Sequence, residues 1–114
     1  MPHSFRPAVG ADTLKVCELS EHLDAPEAMV LGRELEAMLA EDEHTLVVSL
    51  QDLQTISAGG LNVLLAFGQK ARAAKGDMRF FGASDNVARV LDLVGFNRYF
   101  KTDASEADAV KAFE

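Results

Sequence analysis

Hydrophobic residues recur with two different periods along the chain, and the alternation of these periods predicts the order of its secondary-structure elements. Short apolar or alternating runs are typical of strands, whereas apolar residues at i, i+3 and i+4 are typical of helices. The pattern predicts strands over 4–9, 13–19, 45–50, 77–82 and 98–102, and helices over 26–40, 58–74, 85–94 and 103–114. The resulting order, β-β-α-β-α-β-α-β-α, indicates an α/β fold in which amphipathic helices cover a sheet.

Each of the first three predicted helices carries one apolar stripe, and the helix ends have recognisable capping residues. Asp24 precedes the first helix, Ser84 caps the third, and Asp103 is expected to cap the last. Gly76 is expected to end the second helix as a C′ glycine, and Gly95 to close the third. The stripes that we expect to be buried comprise Leu31, Leu35, Met38 and Leu39, then Leu61, Leu64, Leu65 and Gly68, then Val87, Val90, Leu91 and Val94.

The strand segments differ in how they are expected to be buried. Residues 45–50 are apolar and β-branched without strict alternation, which is typical of a strand buried on both faces. Residues 51–55 are interpreted as a connector, after which Ile56 points inward. The strand over 13–19 alternates, with Leu14, Val16 and Glu18 on one face and Lys15, Cys17 and Leu19 on the other.

Length and charge bear on several classes of function. The 114 residues suffice for one domain, 1–114, with a single core. The formal charge of −7, without a lysine or arginine cluster, argues against nucleic-acid binding, which needs a basic surface. No apolar run is long enough to span a membrane, and the N-terminus lacks the pattern of a signal peptide. We therefore expect a cytoplasmic protein without direct membrane insertion, and the sequence favours no particular oligomeric state.

The sequence contains no residue pattern that indicates catalysis, a metal site or a cofactor. Cys17 is the only cysteine, so neither an intrachain disulfide nor a thiolate zinc cluster can form, and we expect it to be buried. His3, His22 and His44 lack metal-ligand spacing and are interpreted as surface or capping histidines. Phosphate-binding glycine loops and a nucleophile elbow are absent. We expect a protein that is not an enzyme and uses no metal or cofactor.

The segment 54–68, QTISAGGLNVLLAFG, is the most informative part of the sequence. A strand-like run enters Gly59 and Gly60 and turns directly into an apolar helix, at the sheet edge where open α/β folds present their sites. Three interpretations are open: a tight turn with no further role, an anion site at the helix start, or a backbone surface that a partner can approach closely. Ser57 is expected to cap this helix through its side-chain oxygen.

Essentially the whole chain from about residue 5 resembles the STAS domain family, and within it the bacterial anti-sigma factor antagonists. In that family a strand of the form LVLDLSGV precedes the motif x-[VI]-D-S-S-G-L-x-x-L. Here VVSLQDL at 47–53 takes the place of the strand, ISAGGL at 56–61 that of the motif, and VGF at 94–96 that of a later turn. HLDAPEA at 22–28 is similar to the family's entry to its first helix. The resemblance implies a STAS-like single domain, with a central mixed sheet of four to five strands and about four helices.

The resemblance also implies a role in binding other proteins. STAS antagonists bind an anti-sigma factor, often also a serine kinase of the GHKL ATPase type, in a partner-switching pathway. Phosphorylation of a motif serine abolishes that binding. In ungapped register the family's phosphoacceptor serine falls on Gly59, its first serine on Ala58 and its aspartate on Ser57. The usual acceptor hydroxyl is therefore missing, and Ser57 is the substitute candidate. The expected partner-binding residues are Ser57, Ala58, Gly59, Gly60 and Asn62.

Two further STAS roles stay open at this point. Cytoplasmic STAS subunits of ABC-type lipid transporters carry the motif D-[TS]-G-G-L, which Gly59, Gly60 and Leu61 match, although the hydroxyl position is Ala58 here. The long final segment through Glu114 favours the antagonist group instead. The third role is that of a scaffold protein in a large signalling complex built from similar domains.

Overall fold

Five strands form one mixed sheet in residues 3–113, which are the residues that the computed structural model describes. In spatial order, the strands are β1 (His3–Ala8), β2 (Ala11–Leu23), β3 (Thr45–Ile56), β4 (Asp77–Phe81) and β5 (Thr102–Asp103). The helices are α1 (Ala25–Ala40), α2 (Ala58–Ala73), α3 (Asp85–Leu93) and α4 (Glu106–Lys111), with a 3₁₀ turn at Phe96–Arg98. β1 and β2 are antiparallel and the remaining pairs are parallel. The predicted order of elements and the α/β class are confirmed; the chain ends, 1–2 and 114, lie outside the described residues.

The sheet separates two apolar clusters of unequal size. The larger one lies between the sheet and α1, α2 and α3, and the smaller one lies between the sheet and α4. Alternation along β2 explains the division, because Cys17 and Leu19 belong to the larger cluster and Leu14 and Val16 to the smaller one. This is the arrangement predicted from the strand pattern. Burial raises the pKa of the Cys17 thiol to about 12, with smaller contributions from Glu34 and Glu18, so it remains a neutral core residue.

β2 and β3 continue as a two-stranded ribbon beyond the other strands. β4 pairs with β3 only as far as Ser49, whereas the β2–β3 ladder continues until Leu23 lies opposite Ile56. The prediction of a connector over 51–55 is therefore wrong. The polar residues of 51–55 are typical of a loop, but their backbone groups pair with residues 20–22 of β2, and Leu53 is buried. Because β2 and β3 end opposite each other, the helices that follow them, α1 and α2, begin side by side.

The chain after α3 departs from the predicted pattern. Instead of a strand over 98–102, it forms the 3₁₀ turn and then the two-residue strand β5. The reason is aromatic packing, because the rings of Phe96 and Phe100 both reach Phe80, at centroid distances of 5.3 and 6.3 Å. In an extended segment, residues four positions apart lie about 13 Å apart, so it is the turn that brings both rings onto Phe80.

Two expected capping residues have other roles. Asp103 does not cap α4, because it lies in β5, where its carboxylate accepts two hydrogen bonds from Arg79 at 2.9 and 3.0 Å; Ser105 is the cap. Gly76 is not the C′ residue of α2. Lys75 has the left-handed conformation, with φ of 69°, and the N–H of Gly76 donates to Ala71 in a Schellman motif. Gly76 is required because a Cβ there would overlap the His44 carbonyl.

The other predicted helix ends are confirmed. The Asp24 side chain accepts from the Glu27 N–H at the start of α1, and the Ser84 hydroxyl accepts from the Val87 N–H at the start of α3. Gly95 closes α3 with φ of 74°. Because α3 ends at Leu93, however, Val94 does not reach the core and is 57% exposed, contrary to the predicted stripe.

His3 is buried, so its interpretation as a surface or capping histidine is wrong. Its Nδ1 bonds to Glu27 and its Nε2 to Glu34, both on α1, so the ring ties the edge strand β1 to that helix. Burial alone lowers the pKa of His3, but the hydrogen bonds and charges of the two carboxylates outweigh it, and the pKa is raised above 6.5. Of the other two histidines, His22 is exposed and bonds to Thr55.

Ionic contacts hold α4 on the opposite face of the sheet. The Arg6 guanidinium donates to both carboxylate oxygens of Glu106, at 2.6 and 3.0 Å, and the Val9 N–H donates to the same carboxylate at 2.9 Å. The hydrogen bond from Arg6 is the largest cause of the lowered pKa of Glu106. A bidentate pair of this kind fixes both position and orientation, which a helix of six residues does not secure alone.

Replacing His3 tests the contact between β1 and α1. We expect His3→Gln to lower the free energy of unfolding by about 1–3 kcal/mol near pH 6, because hydrogen bonds to two charged groups are lost. A pKa raised in the folded state means that protonation stabilises the fold below the unfolded pKa of about 6.5. This stabilisation disappears as the pH rises through the folded-state pKa of His3. Urea denaturation of the natural chain and of His3→Gln from about pH 5.5 to 9 measures the difference between their free energies of unfolding. A difference that does not change with pH would contradict the assigned role of His3.

Candidate functional site

The junction of β3 and α2 lies at the carboxyl edge of the sheet, and Ser57 holds its geometry. Ser57 is extended, with φ of −85° and ψ of 167°, and its Oγ accepts the Gly60 N–H at 3.0 Å. Its own N–H donates to the Leu23 carbonyl at 2.9 Å, which ties the start of α2 to the end of β2. The predicted capping role of Ser57 is confirmed. Its hydroxyl therefore stabilises a helix end.

The two adjacent glycines have different environments. Gly60 is buried, and a Cβ at this position would lie 2.7 Å from Leu23 Cγ and 2.8 Å from Leu23 Cδ2. The absence of a side chain at Gly60 thus serves packing inside the protein. A Cβ at Gly59 would meet only Ser57 Oγ at 3.7 Å and Ala25 at 3.8 Å, which are ordinary contacts. Position 59 therefore has room for a small side chain.

The outer face of α2 begins with small, uncharged residues. Ala58 and Asn62 are exposed and lie one turn apart, and Gly59 lies between them and the start of α1. We call these three residues the motif surface. The predicted site residues therefore divide into an exposed set and two supporting residues, Ser57 and Gly60, which hold the turn from within.

An apolar groove adjoins the motif surface on the side of α3. We call it the α2–α3 groove; its volume is about 210 Å³, and it is lined by Ala58, Leu61, Asn62, Leu65, Val94, Phe96 and Tyr99. Val94 and Tyr99 are 57% and 54% exposed. The sequence analysis missed this groove because Val94 was assigned to the buried stripe of α3. The only signal was the Gly95 that follows it, which ends the helix before Val94 can turn inward.

The charges in the chain segments at the carboxyl edge of the sheet are of one sign. The three segments at the carboxyl edge of the sheet, 20–28, 51–62 and 82–88, contain no lysine or arginine and five carboxylates, Glu21, Asp24, Glu27, Asp52 and Asp85. In the described residues no group of three or more histidine, cysteine or acidic side chains is arranged to hold a metal ion. The motif surface itself carries no ionisable group. Its arrangement suits contact with another molecule, and an acidic rim attracts cations.

No helix among residues 3–113 is long and apolar enough to cross a membrane.

Comparison with known proteins agrees with the predicted resemblance. The family model of the STAS domain matches residues 6–109. BtrV of Bordetella bronchiseptica, whose name describes it as an anti-sigma factor antagonist, is 27% identical over 103 residues, covering 90% of this chain and 89% of BtrV. An anti-sigma factor antagonist from Mycobacterium paratuberculosis has a similar structure, with a TM-score of 0.82, 22% identity and coverage of 96% of this chain and 91% of the other.

Phosphorylated SpoIIAA, a cell fate determinant of Bacillus, has the same fold. The two structures superpose with a TM-score of 0.74 at 15% identity, covering 97% of this chain and all of SpoIIAA. At these identities the solved structures establish the fold, and the predicted mixed sheet with four helices is confirmed.

Substituting the two glycines separately tests their assigned environments. We expect Gly59→Ala to leave the free energy of unfolding unchanged or to raise it by up to about 1 kcal/mol, because alanine favours the helix and fits the space. Gly60→Ala should lower it by about 1–3 kcal/mol, because Leu23 must move. Chemical denaturation of the two variants measures both effects. Equal destabilisation by the two substitutions would contradict the geometry described here.

Proposed function

The chain belongs to the STAS domain family, and on that basis we propose that it is a protein-binding module of a partner-switching pathway, similar to anti-sigma factor antagonists. Its partner is an anti-sigma factor or a serine kinase of the GHKL type, and the whole chain, 1–114, acts as one cytoplasmic STAS domain without enzymatic activity. The observation that carries the proposal is the motif surface, in which Ala58 and Asn62 are exposed and Gly59 is half-buried, beside an apolar groove. The names of the relatives support the choice of partner.

Binding at this surface is not regulated by phosphorylation of the motif, because position 59 has no hydroxyl. A phosphoryl group would add nearly two negative charges at a docking surface and oppose contact by repulsion and desolvation. Ser57 is a poor substitute acceptor, since its Oγ already accepts the Gly60 N–H and is held in the turn. The proposed interaction is therefore permanent at this site, unless another position regulates it.

A second candidate function is that of a STAS subunit of an ABC-type lipid transporter. The run Gly59, Gly60 and Leu61 favours it, because the transporter motif has two glycines where antagonists have serine and glycine. The third candidate function is that of a scaffold STAS protein in a signalling complex. The three candidate functions share the STAS fold and differ in which protein binds the motif surface.

Purification of the chain with its bound proteins from its native cell separates these functions. The proposed function predicts a co-purifying anti-sigma factor or serine kinase of the GHKL type. An ABC ATPase or permease would support the transporter subunit, and a megadalton particle would support the scaffold. Recovery of the chain without any of these would contradict the proposal.

Restoring a hydroxyl at position 59 tests the absence of a phosphorylation switch. We expect Gly59→Ser to gain one phosphate when it is incubated with the co-purified kinase and ATP, because a side chain fits there without displacing its neighbours. The natural chain and Gly59→Ala, which has the extra carbon but no hydroxyl, should stay unmodified. Intact mass spectrometry with peptide mapping reads the result. One phosphate on the natural chain, at Ser57 or elsewhere, would overturn this prediction.

A charge placed in the α2–α3 groove should weaken partner binding. Val94→Asp puts a carboxylate into an apolar contact and is expected to cost about 2 kcal/mol of binding free energy. Val9→Asp is the matched control, because Val9 is 79% exposed and lies on the turn between β1 and β2. Calorimetry with the purified partner compares the two, after circular dichroism has verified that both are folded. Equal affinities for both variants would remove the groove from the interface.

A further inference from the structure

Exposed apolar side chains are concentrated around one helix. The described residues have six large apolar side chains that are exposed: Val9, Met29, Val30, Leu93, Val94 and Tyr99. Three of them line grooves beside α2, namely Met29 on α1, and Val94 and Tyr99 after α3. Exposed apolar residues that are scattered singly need no explanation, but a concentration of this kind is typical of an interaction surface.

A second apolar groove lies on the other side of α2. We call it the α1–α2 groove; its volume is about 500 Å³, and Met29, Gly32, Val63 and Ala66 are among the residues that line it. Gly32 faces Val63 of α2 across the groove, and a Cβ at position 32 would make an ordinary contact with Val63 at 3.5 Å. Met29, at 62% exposure, forms its outer rim. This groove is outside the motif that the sequence analysis singled out.

The α1–α2 groove is continuous with the motif surface at one end. Ala25, at the start of α1, lies next to Gly59, and Met29 follows Ala25 by one turn. At the other end the ion pair between Lys70 and Glu36 bridges the two helices. The α1–α2 groove is therefore open at the end next to the motif surface, and the ion pair between Lys70 and Glu36 crosses it at the other end.

We propose that the protein partner straddles α2, with one apolar side chain or helix face in the α2–α3 groove and a second in the α1–α2 groove. This inference rests on the proposed function and names the extent of its docking surface. Helices pack at axis distances of about 8–10 Å, so grooves on either side of one helix are close enough for a single interface of about 800 Å² per partner.

Charge identifies the chemistry of the partner. The open end of the groove adjoins the carboxyl-edge segments, which contain no lysine or arginine and four carboxylates besides Glu27, which bonds to His3. The groove wall carries one cation, Arg33, at the next turn after Met29. A partner surface with apolar anchors and flanking lysine or arginine residues is complementary to this rim.

A second copy of this chain fits the same surface poorly. In a two-fold dimer centred on the motif surface, the acidic segments around that surface would lie close together in the two copies. Like charges held in contact oppose association. The occupant of the groove is therefore a different, basic protein rather than another copy.

Substitutions in the α1–α2 groove test the proposal with the partner purified by the experiment above. We expect Met29→Asp and Ala66→Phe each to raise the dissociation constant at least about tenfold, the first by charge and the second by filling the groove. Val9→Asp should leave it unchanged. Thermal unfolding verifies that the variants are folded, which is expected because Met29 and Ala66 are exposed on helices. Unchanged affinity in both folded groove variants would overturn the inference while the proposed function stands.

Salt dependence separates a basic partner from a second copy. The association rate with the partner is expected to fall about fivefold or more between about 0.05 and 0.5 M NaCl, because attraction to the acidic rim is screened. The chain alone should stay monomeric in light scattering over this range. A dimer that Met29→Asp dissociates, or an association rate that rises with salt, would overturn the inference. If the natural chain binds neither an anti-sigma factor nor a GHKL-type kinase, the proposed function and this inference fail together.

Discussion

The continuation of the β2–β3 ladder to the pair Leu23 and Ile56 is the constraint on which the rest of the structure depends. Because the two strands end together, the helices that follow them begin together, and the Leu23 carbonyl accepts the Ser57 N–H across the junction. Gly60 then packs directly on Leu23. The motif surface and both grooves around α2 follow from this placement. A shorter ladder would separate the two helix starts.

The remaining contacts hold the layers around that ladder. His3, bonded to two carboxylates of α1, secures the edge strand on one face, and Arg6, bonded to Glu106, secures α4 on the other. These are long-range contacts between charged or polar groups, whereas the centre of the sheet depends on apolar burial. Little apolar surface is available at the edges of the sheet. The contacts of His3 and Glu106 there are therefore the part of the fold whose stability depends on pH.

The exposed groups at the carboxyl edge of the sheet differ from those of a catalytic cleft. A site for acid–base or nucleophilic catalysis concentrates ionisable groups with shifted pKa values in a cleft. The groups with shifted pKa here lie elsewhere, in the core at Cys17, beside α1 at His3 and beneath α4 at Glu106. Around α2 the exposed groups are apolar or small, and the charges form a rim. That distribution, a neutral centre with a charged surround, is the one expected of an interface.

The sequence by itself determined the order of the elements, the caps Asp24, Ser57 and Ser84, and the two faces of β2, because these depend on side-chain periodicity and on hydrogen bonds within a few residues. It identified the stretch around Gly59 and Gly60, but could not tell that one glycine faces the outside and the other faces Leu23. Only the tertiary structure decided that 51–55 is a strand, that His3 is buried and that Val94 is exposed. Each of these depends on a partner distant in the sequence, such as β2 for 51–55 and α1 for His3. A local pattern contains no information about which distant residue will satisfy a polar group or cover an apolar one.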